Sequence, residues 1–237
     1  MNRYTRNQDL IDQKLLDKCT VIGAGGIGSS LLQNAAIMGF NEIDVWDNDI
    51  LEVHNLSTTS WSEQFLNQSK VAAAKSTLSN LNIQTKVNAH NELWNKGNAL
   101  NDIVFLTPDN MEIRREVYLQ WAKMDTRIML IDMRMGALGF EIITATKDHD
   151  HYLNSWIPSH EIEDEACTAK HTIFCGSLAA SYGLSQAFCV FAKRPYYQYI
   201  WGNLSPVSIR REHLVNYGNI KAYTNEYRAI DDALKAA

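Results

Sequence analysis

Four glycines, Gly23, Gly25, Gly26 and Gly28, stand in the run GAGGIG, and their spacing suits phosphate chemistry. Glycine at the first position permits a tight turn closed to other residues. Gly25 has no side chain, so a phosphate can approach the backbone there, and Gly28 lets a following helix pack close to a sheet. A helix start carries free N–H groups and partial positive charge, which suits an anion. Asp47 follows about twenty residues later, where such folds set an acid against a ribose hydroxyl. Asp49 shares a side with Asp47 on extended chain, so it either helps hold Mg²⁺ or caps the next turn. Lys70 opens a helix-like run against the dipole, which hints at pairing with phosphate; a solvated lysine is the alternative. Asp109 follows an apolar run and either caps a helix or binds a metal.

Cys167 is a second kind of candidate. A helix N-terminus and nearby Lys170 favour its thiolate. Glu161, Glu163, Asp164 and Glu165 oppose it by like-charge repulsion, and both outcomes stay open. His149, His151 and His160 share the same polar stretch, but no helical H-x-x-x-H spacing supports a metal site.

The elements that must position these residues are legible around them. Residues 19–22 and 43–46 read as strands, with a helical run from Ile27 through Met38 between them. Residues 57–69 read as a loop with a short helix, and a helix follows from Lys70. Residues 84–89, 102–107, 127–132 and 140–146 read as strands, with a helix from about 110 to 124. Residues 3–17 show a partial apolar stripe and are expected to form an amphipathic helix. Residues 147–166 are polar and acidic and are expected to be a long mobile crossover loop. A helix is expected from about 169 to 192, then strands near 199–204 and 207–211, then a short C-terminal helix.

The expected fold is α/β: a Rossmann-like, doubly wound, mostly parallel sheet with a mobile crossover loop and a C-terminal extension. The expected divisions are an N-terminal helix (1–18), a nucleotide-binding core (19–146), the crossover loop (147–168) and the remaining helix and strands of the same domain (169–237).

At 237 residues, 46% of them apolar, the chain can build one generous α/β core. A net charge of −5 does not suggest a nucleic-acid binder, though it permits a basic-faced protein partner. No stretch reads as a membrane span of roughly eighteen apolar residues. The N-terminus lacks an apolar signal core, so a cytoplasmic location is expected. The four cysteines form no C-x-x-C pair, so a zinc site built from paired cysteines is not expected.

Taken together, the motifs between residues 3 and 192 resemble the ThiF/MoeB/ubiquitin-activating enzyme superfamily. RYTR at 3–6 is similar to the family's R-Y-S-R-Q opening, and GAGGIGS at 23–29 to its G-A-G-G-L-G-S. Asp47-Asn48-Asp49 with Val53 and Asn55-Leu56 resembles D-x-D…V…N-L. Lys70 stands where the family has the lysine of G-x-P-K-A, and Thr107-Pro108-Asp109-Asn110 with Arg114 resembles T-D-N-x-x-x-R.

The resemblance implies adenylation, by ATP, of the C-terminal glycine of a ubiquitin-like or sulfur-carrier protein. It implies that the glycines and Asn55 line the nucleotide, that Asp47 holds the ribose, that Lys70 neutralises phosphate and that Asp109 holds Mg²⁺. It further implies that Arg6, more than Arg3, reaches the ATP of a partner protomer, hence a homodimer. Cys167-Thr168-Ala169 echoes the thioester-forming cysteine of compact members, which hand their cargo to a conjugating enzyme. One departure stands out. Thr58 occupies the arginine position of the family's N-L-x-R-Q, which leaves either Arg134 as substitute cation or a weakened, even inactive, nucleotide-binding scaffold.

Overall fold

The computed structural model describes residues 3–82, 84–161 and 171–216. Strand β1 (Lys18–Ile22) runs through the glycine turn into helix α1 (Gly26–Met38), and β2 (Glu42–Trp46) follows. Helix α2 (Lys70–Leu81) leads to β3 (Lys86–His90), and β4 (Ile103–Leu106) precedes α3 (Met111–Trp121). Then come β5 (Met129–Gly136), β6 (Gly139–Thr146), α4 (Ile173–Phe191), β7 (Tyr196–Leu204) and β8 (Val207–Val215).

All eight strands form one sheet in the order β3-β2-β1-β4-β5-β6-β7-β8. The first five run parallel. The last three alternate in direction. The reversal has a local cause: β5 and β6 are joined by two residues, the first of which, Ala137, takes φ 45°. So short a turn closes only an antiparallel pair, because a parallel return needs a crossover of a dozen residues or more.

Helices cover both faces of the parallel half. Side chains of α1, α2 and α4 meet Val21, Val45, Phe105 and Ile131 in one core. Those of α3 meet Ile22, Trp46, Val104 and Leu130 in the other. Close approach of α4 requires two of its glycines. A Cβ on Gly176 would lie 2.8 Å from the Gly26 carbonyl oxygen, and one on Gly183 would collide with the Met133 sulfur.

Three expectations need correction. Residues 3–10 form turns, with only a 3₁₀ turn at Gln13–Leu15, in place of a helix over 3–17. Leu10 and Leu15 are 54% and 42% exposed, so the apolar stripe is too thin to anchor a helix. Local tertiary bonds hold the segment: Arg3 donates to Asn82 Oδ1 at 2.8 Å and to the Leu81 carbonyl at 3.0 Å.

Second, Ile173–Phe191 is long and apolar enough to cross a membrane, contrary to the reading that no stretch qualifies. Its small-residue face, Cys175, Ala179 and Ala180, is nonetheless buried in the core against α1 and the sheet. The helix starts at Ile173 because Thr172 is extended. Cys175 is fully buried, whereas Cys189 is only half-buried.

Third, the described half of the crossover segment is pinned, not loose. Tyr152 is buried and donates to Asp132 Oδ2 at 2.8 Å, and Arg134 donates to the Ser155 carbonyl at 2.8 Å. The Trp156 indole donates to the Met111 carbonyl at 2.8 Å, and the Ser159 N–H to Glu112 at 3.0 Å. Residues 162–170, and the expected helix beyond residue 217, lie outside the described residues.

The hub of that clamp is Asp132, fully buried between the guanidiniums of Arg114 and Arg134. Burial, and then the neighbouring Arg134 charge, push the Arg114 pKa down to about 9. The carboxylate between the two cations offsets that repulsion. Replacing Asp132 by Ala leaves two facing buried cations and is expected to cost about 3–5 kcal/mol in urea unfolding. A loss below about 1 kcal/mol, the range of an ordinary substitution, would contradict the clamp.

Candidate active site

The glycine turn sits at the carboxyl end of β1, between the ends of β2 and β4. Gly23 has φ 98°, and a Cβ there would lie 2.8 Å from the Thr107 carbonyl carbon, so both conformation and space demand glycine. A Cβ on Gly28 would collide with the Gly23 carbonyl, and one on Gly26 with the Met135 methyl. Gly25 is different: a Cβ there would meet nothing within 4 Å. It faces open space at the head of α1, where no side chain caps the helix. The first N–H groups of an α-helix have no intrahelical partner, and their dipole favours an anion.

The acids and the lysine close round this opening. Asp47 accepts from the Ala24 N–H at 2.7 Å and the Asp49 N–H at 2.9 Å. Burial raises its pKa, against the pull of the Lys70 charge and those two N–H groups. Lys70 is only 8% exposed, and its Nζ lies 2.6 Å from Asp49 Oδ2. That pairing excludes the solvated lysine. Ser69 caps α2 through the Ala72 N–H, and the Lys70 N–H bonds the Asp49 carbonyl at 2.9 Å. A cleft of about 270 Å³ runs along this edge, lined by Asn48, Asp49, Ile50, Glu52, His54, Asn55 and Lys70. A larger concavity, about 500 Å³, lies at the opposite end of the sheet against Leu15, Ile128 and Phe191. Open α/β folds bind ligands beyond the carboxyl ends of their strands, so the smaller cleft is the relevant one.

Asp109 is exposed on the loop between β4 and α3. It does not cap α3; Asn110 does, accepting from the Ile113 N–H at 2.9 Å. Asp109 is thereby left facing solvent. Arg114, read as part of the same motif, points inward instead. It pairs with Asp132 and donates to the carbonyls of Pro108 and Met133, steadying the loop that carries Asp109.

Two expected cations are elsewhere. Arg134 is bound to Asp132 and to the Ser155 carbonyl, on the α3 face of the sheet, so it does not replace the missing arginine. Thr58 itself only closes a turn, donating to the Asn55 carbonyl at 3.2 Å. Arg6 is exposed, next to Tyr4, which packs on Gly39 at the far end of α1. Thirteen residues of helix separate that end from the glycine turn, about 20 Å. Arg6 therefore does not reach the turn of its own chain. Cys167 lies outside the described residues.

Sequence reasoning missed Trp61. Its indole N–H donates to the Ala24 carbonyl at 2.8 Å, inside the glycine turn. Its loop is stitched to α1 by the Ser60 N–H to Ser29 Oγ at 2.9 Å and by paired Ser30 and Ser60 hydroxyls at 2.9 Å. No local spacing signals a contact between residues 37 positions apart.

Residues 6–197 match the ThiF family. The chain is 32% identical over 127 residues to SUMO-activating enzyme subunit 2 of Dictyostelium discoideum, covering 48% of this chain and 19% of that protein. It is 30% identical over 168 residues to a ubiquitin-activating enzyme E1-like protein of Saccharomyces cerevisiae, covering 65% and 23%. An Arabidopsis thaliana adenylyltransferase and sulfurtransferase, MOCS3, is 32% identical over 96 residues, covering 38% and 21%. The chain thus spans about a fifth of the length of these curated relatives. Among solved structures, E. coli MccB superposes with a TM-score of 0.73 at 17% identity, over 92% of this chain and 71% of that one. PaaA superposes at 0.72 and 18%, over 89% and 72%, and these two show the shared fold alone. By its matched residues, this chain belongs to the ThiF family.

Proposed function

We propose that this chain binds ATP at the glycine turn and adenylates the C-terminal glycine carboxylate of a ubiquitin-like or sulfur-carrier protein. The observation that carries the reading is the open space over Gly25 at an uncapped helix start, with Lys70 and Asp49 paired beside it. Likeness to activating enzymes and to MOCS3 supports it. E. coli MccB, which shares the fold, has been crystallised with ATP.

In this reading a carboxylate oxygen attacks the α-phosphorus, pyrophosphate leaves, and an acyl adenylate forms. Anion meets anion, so the site must supply positive charge and hold the two groups in line. The Gly25 N–H and the head of α1 bind phosphate oxygens. Lys70 turns from Asp49 toward the phosphates, and Asp47 accepts from the ribose hydroxyls. Asp109 would hold Mg²⁺, which offsets charge on the departing pyrophosphate. Arg6 completes the charge balance in the site of a second copy, which makes the working unit a homodimer.

The finer proposal is that the Cys167 thiol then displaces AMP, giving a thioester that a conjugating enzyme accepts, in the cytoplasm. A second reading, favoured by Thr58 and by the engagement of Arg134 with Asp132, is a nucleotide-binding scaffold subunit without catalysis.

ATP–pyrophosphate exchange in the presence of a glycine-terminated partner separates the two readings. Exchange that falls about a hundredfold in Lys70→Ala supports adenylation; no exchange with any such partner supports the scaffold. A Cys167→Ala variant is expected to retain exchange and lose the dithiothreitol-sensitive adduct, and an adduct that persists removes Cys167 from the reaction.

Gly25→Ala is expected to fold with an unchanged melting temperature and to weaken ATP binding at least tenfold, because the new methyl occupies only the phosphate's space. Gly28→Ala, which would strike the Gly23 carbonyl, is expected to lose stability instead. Unaltered nucleotide affinity in Gly25→Ala would place the phosphates elsewhere.

A further inference from the structure

We infer that Trp61 is a positioning residue for nucleotide binding: its indole N–H aims the Gly25 N–H at the phosphate. The inference rests on the reading that phosphate binds at the glycine turn, and it adds a residue that the turn's own sequence does not contain.

The geometry is that of one peptide plane. The Ala24 carbonyl and the Gly25 N–H belong to the same trans peptide and point in opposite directions. Trp61 is 4% exposed, and its Nε1 donates to that carbonyl at 2.8 Å. Fixing the oxygen on one side therefore fixes the hydrogen on the other. The Gly25 N–H has no hydrogen-bond partner among the described residues, and a Cβ on Gly25 would meet open space.

Every preceding polar group of the turn is already held. The Gly23 N–H donates to the Trp46 carbonyl at 2.8 Å. The Gly23 carbonyl accepts from Thr107 Oγ1 at 2.9 Å. The Ala24 N–H donates to Asp47 Oδ2 at 2.7 Å. Trp61 takes the last inward-facing group, so Gly25 N–H is the first donor left for a ligand. A glycine-rich turn has soft backbone angles, and without that fourth bond the peptide can rotate and spread its donor over many directions. Preorganised donors bind charge without the cost of reorienting.

Trp61 is itself held from behind. Its loop is tied to α1 through Ser29 and Ser30, Ser30 also meets Ser177 Oγ of α4 at 3.0 Å, and Gln33 donates to the Ser60 carbonyl at 3.1 Å. The indole is thus a peg between the packed helices and the phosphate turn.

The test is Trp61→Phe, which keeps an aromatic ring and removes the N–H. Magnesium-ATP and inorganic pyrophosphate are titrated calorimetrically into wild type and variant, alongside melting temperatures. We expect both ligands to bind about tenfold more weakly to the variant, with a melting temperature within a few degrees of wild type. Wild-type affinity in the folded variant overturns the inference.

If the variant does not fold, ¹⁵N spectra of the wild type decide. The Gly25 amide is expected to shift on adding pyrophosphate while the Trp61 indole N–H signal persists. A Gly25 amide that does not move, in a protein that binds pyrophosphate, overturns the inference. Failure of wild type to bind either ligand overturns the underlying reading too, and so is distinguishable from loss in the variant alone.

Discussion

In the proposed reading, the carboxyl edge of the sheet answers a single requirement: a turn must present backbone N–H groups to an anion without losing its shape. A chain of glycines can present them but cannot hold still. The fold resolves this by bonding the turn's polar groups on the inward side. Trp46, Thr107, Asp47 and Trp61 each take one. These four residues come from β2, from the ends of β2 and β4, and from the loop before α2. The parallel order β2-β1-β4 is what brings the strand ends to one place. Asp47 is partly buried within this scaffold, where its carboxylate accepts from the Ala24 and Asp49 N–H groups.

A second buried polar cluster supports the same edge from the other face. Asp132 ties Arg114, Arg134 and Tyr152 together inside the α3 layer. Arg114 reaches forward to the Pro108 carbonyl, and Arg134 reaches the Ser155 carbonyl. The loop carrying Asp109 and the first half of the crossover segment are thereby fastened to one ionic hub. Breaking such a hub by removing one member costs far more than forming it gains, because the remaining charges stay buried. The antiparallel strands extend the sheet beyond this hub, and Tyr199 and Glu141 border it there.

Much of the site was legible because its signals are local. The order of glycine turn, helix, strand and acid is written within thirty residues, and α2 opens on Lys70 as its spacing implied. What sequence could not show depends on distant partners. Lys70 turned out ion-paired with Asp49 and not solvated, a fact that needs the ends of β2 and α2 side by side. Arg134 was a reasonable substitute for the arginine missing at Thr58 until Asp132, two residues before it, proved buried between two cations. The N-terminal segment carried enough apolar spacing to suggest a helix, yet its contacts with Asn82 and Gly39 favour turns. Trp61 left no trace in periodicity, since a single indole bonding a carbonyl across 37 positions is invisible to any window.

The central claim is that the head of α1 is a phosphate site held ready before its ligand arrives. Isothermal titration of ATP into the purified chain, with and without magnesium, tests it most directly. The account predicts saturable binding at one nucleotide per chain, displaced by pyrophosphate and not by adenosine alone. Absence of saturable binding at millimolar ATP, or displacement by adenosine with indifference to pyrophosphate, would contradict it.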